Sequence, residues 1–142
     1  MKPGDVKISG EIEKKYLVFK KTLENLKTVR NIEEPYTVIS RTGIVGLFNV
    51  CCDCAYIFIK DFLVFQGYFL PVTVFNQTII RTARQCGVID EEALWVDIIE
   101  TRNAMASLYD TDTALRTIEK IKSEYINAFE SLKENIDKNW LN

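Results

Sequence analysis

The run "IVGLFNVCCDCAYIFIKDFLVF", Ile44 to Phe65, decides the fold. It is long and apolar enough to raise a membrane span, which needs about 20 such residues. Asp53 stands near its middle, Asn49 one turn earlier, and Lys60 and Asp61 later. A central carboxylate is costly in hydrocarbon. The run therefore reads as the central helix of a soluble bundle, apolar nearly all round because other helices surround it. Extended by its neighbours, it predicts a helix from Val38 to Gln66, with Gly67 as the stop. No membrane is expected among the partners.

On the N-terminal side, Ile8, Ile12, Tyr16, Phe19, Leu23, Leu26 and Val29 recur at steps of 3 and 4. That is an amphipathic helix, interrupted by "NIEEPY". On the C-terminal side, "YFLPVTV" is a connection. A short helix from about Phe75 ends at "QCG", with Gly87 as its cap and Val88 as the apolar residue after it. "VIDEEALW" restarts helix, with Asp90 as the expected N-cap and Glu91 and Glu92 favouring the positive end of its dipole. A last helix is expected after "YDTDT", with Leu115, Ile118, Ile121, Tyr125, Phe129, Leu132, Ile136 and Trp140 on one face. The expected class is all-α: an up-and-down four-helix bundle with an additional short helix, residues 1–142 forming a single domain.

The chain has 142 residues and a net charge of −2. "KKYLVFKK" carries four lysines, but Glu11, Glu13 and Glu24 flank it, so it reads as a solvated helix face. Chain-wide electrostatic capture of nucleic acid is not expected, which leaves only a local site. Cysteines stand at 51, 52, 54 and 86. Three fall inside the apolar run, where close helical spacing suits disulfide geometry poorly and free thiols pack as small hydrophobes. No second CxxC and no histidine completes a metal site, so no metal and no cofactor is expected. Reduced thiols and the lack of an apolar signal core give a cytoplasmic expectation.

Two places could form a site. At helical spacing Thr42, Gly46, Asn49, Asp53, Tyr56 and Lys60 share one stripe of the central helix. Asp53 either pairs with a cation, Arg102 being the best candidate, or faces solvent or a structural partner. The second place is "ETRNAMASLYD", Glu100 to Asp110. If helix persists that far, Arg102, Ala106 and Tyr109 project on one side, with Ser107 beside them. The chain contains no histidine, so the commonest general base is missing.

From about Lys14 to Leu132 the chain resembles the nucleotidyltransferase substrate-binding protein family, a branch of the HEPN superfamily of small helical bundles. In "FNVCCDCAYIFIKDFL", Phe48, Ala55, Lys60, Asp61 and Leu63 match the family pattern; Asp53 stands where a second Glu is usual, and Asn49 replaces the first. In "NQTIIRTARQCGVIDEEALWVDIIETRN", Gly87, Ile89, Asp90, Leu94, Trp95, Asp97, Arg102 and Asn103 agree at unbroken spacing. The family continues with Arg, four residues, His, one residue, Tyr, Asp. Arg102, Tyr109 and Asp110 stand in register here, and Ser107 occupies the histidine position.

The resemblance implies a HEPN-like fold and a homodimer. It also implies a partner: a minimal nucleotidyltransferase encoded alongside, in a toxin–antitoxin-like pair. Relatives with the full motif are ribonuclease toxins, silenced by transfer of AMP to the motif tyrosine. A positioned imidazole contributes about 10²- to 10⁴-fold to proton transfer, which a serine hydroxyl does not supply unaided. The expectation is therefore a degenerate ribonuclease motif of Arg102, Ser107 and Tyr109 with no assured catalytic residue. Arg102, Asn103, Asp53 and Asp110 would form a binding surface for nucleotide or RNA, and Tyr109 a modification site. The alternatives are an active or weakly active ribonuclease, or a nucleotide-binding subunit.

Overall fold

The computed structural model describes residues 5–71, 74, 76–104 and 110–141. Among them every regular element is helical. The order is α1 (Glu11–Lys27), a 3-10 turn (Thr28–Asn31), α2 (Val38–Phe65), α3 (Asn76–Cys86), α4 (Glu92–Asn103), α5 (Thr111–Lys120), a π turn (Ile121–Tyr125) and α6 (Ile126–Asn139). The helical-bundle expectation holds.

Helix α2 is the centre. Thr37 and Ser40 cap its start reciprocally: the Thr37 Oγ1 accepts the Ser40 N–H at 3.0 Å, and the Ser40 Oγ accepts the Thr37 N–H at 2.8 Å. Gly67, at φ 98°, turns the chain away at the far end, a conformation that costs glycine little. By length and composition α2 could cross a bilayer, but half of its most apolar window is buried in the bundle. Cys51, Ala55, Phe58, Ile59 and Phe62 on its inner side have almost no exposure. The opposite side is open, and Val50, Ile57 and Val64 there are each about half exposed.

Helix α1 runs antiparallel to α2. Lys15 pairs with Asp61 near one end, and the Tyr16 and Phe58 rings lie 5.3 Å apart. Helix α6 covers α1 from the other side, where Lys27 meets Glu130 at 3.1 Å and the Tyr16 hydroxyl donates to Asp137. Phe129 joins the layers: its ring meets Trp95 of α4 edge-on at 5.4 Å and Phe19 of α1 at 6.3 Å. Such pairs contribute about 0.5–1.5 kcal/mol each beyond simple burial.

Several boundaries differ from the sequence expectation. Helix α1 begins at Glu11 because Gly10 sits at φ 61°, in the left-handed region. Ile8 is buried all the same, its N–H donating to the Trp140 carbonyl at 2.9 Å. Asp90 does not cap α4. Glu91 holds the N-cap position, while the Asp90 carboxylate accepts from the Asn135 amide at 3.2 Å. That amide also donates to the Val88 carbonyl at 3.0 Å, so the α3–α4 turn is tied to α6 rather than left to cap a helix. Gly87 does end α3 as expected, at φ 89°, with the Val88 N–H reaching the Ala83 carbonyl at 3.1 Å. The final helix starts earlier than expected, at Thr111, with Asp110 as its N-cap. It is also not one uniform α-helix, since the π turn divides it.

Candidate functional site

Helix α4 delivers Arg102 from its last turn, and α2 delivers Asp53 from its middle. The guanidinium donates twice to the carboxylate, Nε to Oδ1 at 2.9 Å and Nη2 to Oδ2 at 3.0 Å. This two-pronged geometry is available to arginine and not to lysine. The Asp53 carboxylate makes Arg102 hold its proton still more firmly than usual, against the smaller opposing effect of partial burial. The pair expected from the sequence is therefore present. Asp53 is paired and also half open to solvent: its side chain is 51% exposed, on the open side of α2.

Asp53 has Cys52 and Cys54 beside it. Burial pushes the Cys52 thiol up to about 12, the Asp53 charge adds to the rise, and Arg102 opposes it. Burial likewise takes Cys51 to about 12 and raises Cys54 and Cys86. All four cysteines are free. They are protonated thiols at neutral pH, suited to packing and not to nucleophilic attack. Among the described residues no group of three or more His, Cys, Asp or Glu side chains is placed to hold a metal.

Asn103 follows Arg102 at the exposed end of α4. With Asn76 and Gln77 of α3 it edges a depression of about 290 Å³ whose apolar floor includes Ile80, Val96 and Ile99. Asn76 also accepts from the Tyr56 hydroxyl of α2. The ion pair and the depression thus lie on one surface that α2, α3 and α4 share.

Asp110 is turned to another task. Its carboxylate accepts the Thr113 N–H at 3.2 Å and the Thr113 hydroxyl at 2.7 Å, capping α5. These hydrogen bonds hold its pKa below the ordinary carboxylate range. Helix α4 ends at Asn103, and the stretch Ala106 to Tyr109, where helix was expected, lies outside the described residues. Ser107 and Tyr109, with the roles expected of them, lie outside the described residues.

One group escaped sequence reading. Tyr125, in the π turn, donates to Asp97 of α4 at 2.7 Å and shares a hydrogen bond with Thr101 at 2.9 Å. Its ring stacks on Phe48 of α2 at 5.4 Å. Burial and the Asp97 carboxylate raise its phenol above the ordinary value, while Thr101 opposes the rise. Thr101 is the residue before Arg102, so this network positions the turn that carries the guanidinium. The only sequence signal was Asp97 at an otherwise apolar stretch of α4.

No curated protein matches the chain closely. A family model described as "nucleotidyltransferase substrate binding protein like" matches residues 13–138, which takes in α1 through nearly all of α6 and both members of the Asp53–Arg102 pair. The chain belongs to that family, a helical bundle consistent with the HEPN superfamily.

Proposed function

We propose that the protein is the helical partner subunit of a minimal nucleotidyltransferase, acting as a homodimer in a toxin–antitoxin-like pair. Its ribonuclease motif is degenerate, because Ser107 replaces the motif histidine. The match over residues 13–138 carries this reading, since the family is described by its relation to a nucleotidyltransferase. The geometry is compatible with it. Arg102 keeps a guanidinium suited to phosphate at an accessible helix end, with a third nitrogen not used by Asp53. No imidazole is available anywhere in the chain to move a proton at the 2′-hydroxyl of RNA. Tyr109 is the acceptor for adenylate in this reading.

The test is co-expression of the tagged chain with the neighbouring nucleotidyltransferase reading frame. The expected result is a stable complex by affinity capture and mass measurement, and transfer of AMP from ATP to the chain. No complex with a demonstrably folded and active transferase refutes the reading. A second reading, a nucleotide-binding subunit, is favoured by the depression beside Asn103, whose amide edges and apolar floor suit a base.

A further inference from the structure

The depression between α3 and α4 has a rim whose hydrogen-bonding sense is fixed by its surroundings. Its floor is apolar: Ile80 of α3 and Ile99 of α4 are buried, and Val96 lies about one turn before Ile99. Asn76 lines it from α3 and Glu100 from α4. Its volume, about 290 Å³, is at the low end for a small-molecule site and suits one planar ring system.

Tyr56 decides what Asn76 offers. The Tyr56 phenol donates to Asn76 Oδ1, so the amide oxygen is engaged and the NH2 group keeps two protons for a ligand. Asn76 is therefore a donor at this site. Glu100 is its opposite, since an ionised carboxylate only accepts. Among the described residues no lysine or arginine pairs with Glu100, which is exposed. A flat ring on the floor thus meets one donor and one pair of acceptors.

The nucleobases answer that pattern differently. Guanine carries two adjacent donors, N1–H and the N2 amine, beside the O6 acceptor. The donors match the two oxygens of one carboxylate, and O6 matches the Asn76 amide. Adenine carries one donor, the N6 amine, beside the N1 lone pair, which a carboxylate repels. Cytosine has the same defect at N3. Uracil has a single donor between two acceptors.

We infer that this depression takes a guanine base, with Glu100 as the residue that selects it. This rests on the reading of the chain as a nucleotide-binding subunit and names its base. The ion pair is close at hand. Tyr56 follows Asp53 by three residues on α2, about 4.5 Å along the helix axis. Asn76 is thus tied to the turn of α2 that holds Arg102. Base recognition and the phosphate-binding guanidinium adjoin on one surface.

Calorimetry with GMP, AMP, CMP, UMP and inosine monophosphate tests the inference. The wild type should bind GMP about tenfold or more tighter than AMP, CMP or UMP, the discrimination that one good bidentate contact supplies. Inosine monophosphate keeps O6 and N1–H but lacks the N2 amine, and should fall between GMP and AMP. Glu100→Gln should reverse the order of GMP and AMP, because its amide accepts from the adenine N6 amine and donates to N1. Glu100 is exposed, so circular dichroism should show unchanged helicity. Asn76→Asp keeps an acceptor for Tyr56 but loses the donor to O6, and should weaken GMP about tenfold. Equal binding of GMP and AMP overturns the inference, as does inosine monophosphate matching GMP. So does an unchanged preference in folded Glu100→Gln. Those outcomes leave the nucleotide-binding reading standing. Binding of none of these nucleotides at millimolar concentration refutes that reading and the guanine assignment together.

Discussion

Arg102 reaches from the last turn of α4 to grip both oxygens of Asp53 at the middle of α2, at 2.9 and 3.0 Å. Both side chains are partly exposed, so solvent limits what the grip adds to stability to about 1 kcal/mol or less. A urea-midpoint double-mutant cycle of Arg102→Ala and Asp53→Asn should show a coupling of that size. Its more informative effect is competitive. Asp53→Asn frees the fork, so affinity for inorganic phosphate or AMP at Arg102 should rise, read by calorimetry. Arg102→Lys should lose that gain. Equal, weak binding by all three proteins would make the pair purely structural.

If, as proposed, Ser107 takes the place of a motif histidine, purified protein should cleave RNA poorly or not at all. Ser107→His should create cleavage that Arg102→Ala abolishes, followed on a labelled RNA at neutral pH. Robust wild-type cleavage, lost in Arg102→Ala, refutes the degenerate-site reading. With the cognate transferase and ATP, intact-mass spectra should show adenylate on the wild type and none on Tyr109→Phe.

Two buried phenols set the alkaline limit. Burial and a neighbouring carboxylate raise both Tyr16 and Tyr125 above the ordinary phenol value of about 10. A raised phenol stabilises the fold fully below the unfolded value, and that stability is lost as pH climbs from there toward the folded one. The urea midpoint should therefore drop above about pH 10, and drop less in Tyr125→Phe. That variant also loses the bridge between Asp97 and Thr101, costing about 1–2 kcal/mol at neutral pH. At the acid end Asp137 works in the opposite sense. Burial alone would raise its carboxyl, but the hydrogen bonds from Tyr16 and Lys133 outweigh it and the net shift is downward. Its contribution is present above about pH 4 and fades as pH falls toward the depressed value; Asp137→Asn should flatten that limb.

Thiol chemistry gives a simple check on packing. With Cys51 and Cys52 pushed up to about 12 by burial, a thiol reagent at pH 8 should leave them unmodified in the native protein. All four cysteines should react in denaturant. Rapid native labelling of Cys51 would contradict its position in the core.

The first and last helices were legible because apolar residues at steps of 3 and 4 fill one face of each, α2 because it is apolar nearly all round, and the ends of α2 and α3 because Gly67 and Gly87 stand where left-handed backbone is needed. The Asp53–Arg102 pair was legible too, from one anion and one cation on two mixed faces. The exposure of Asp53 was left open because periodicity reports that a stripe is distinct, not which side of it faces the core. Asp90 was misread as a cap because sequence does not show that Asn135, forty-five residues on, would claim its carboxylate. The π turn left no trace, since Ile118, Ile121, Tyr125 and Phe129 keep steps that a regular helix would also satisfy.

That wide turn between Ile121 and Tyr125 has a consequence for length variation. A π turn holds one residue more than the α turn it replaces, and it absorbs the surplus locally. Here it lies between a half that packs on α2 and a half that packs on α1. Removing one residue from this stretch, Ser123 for example, would let the backbone close into ordinary α turns while both halves stay where they are. Relatives one residue shorter at this point should superpose on α5 and α6 alike, and the gap in their alignment should fall beside Tyr125.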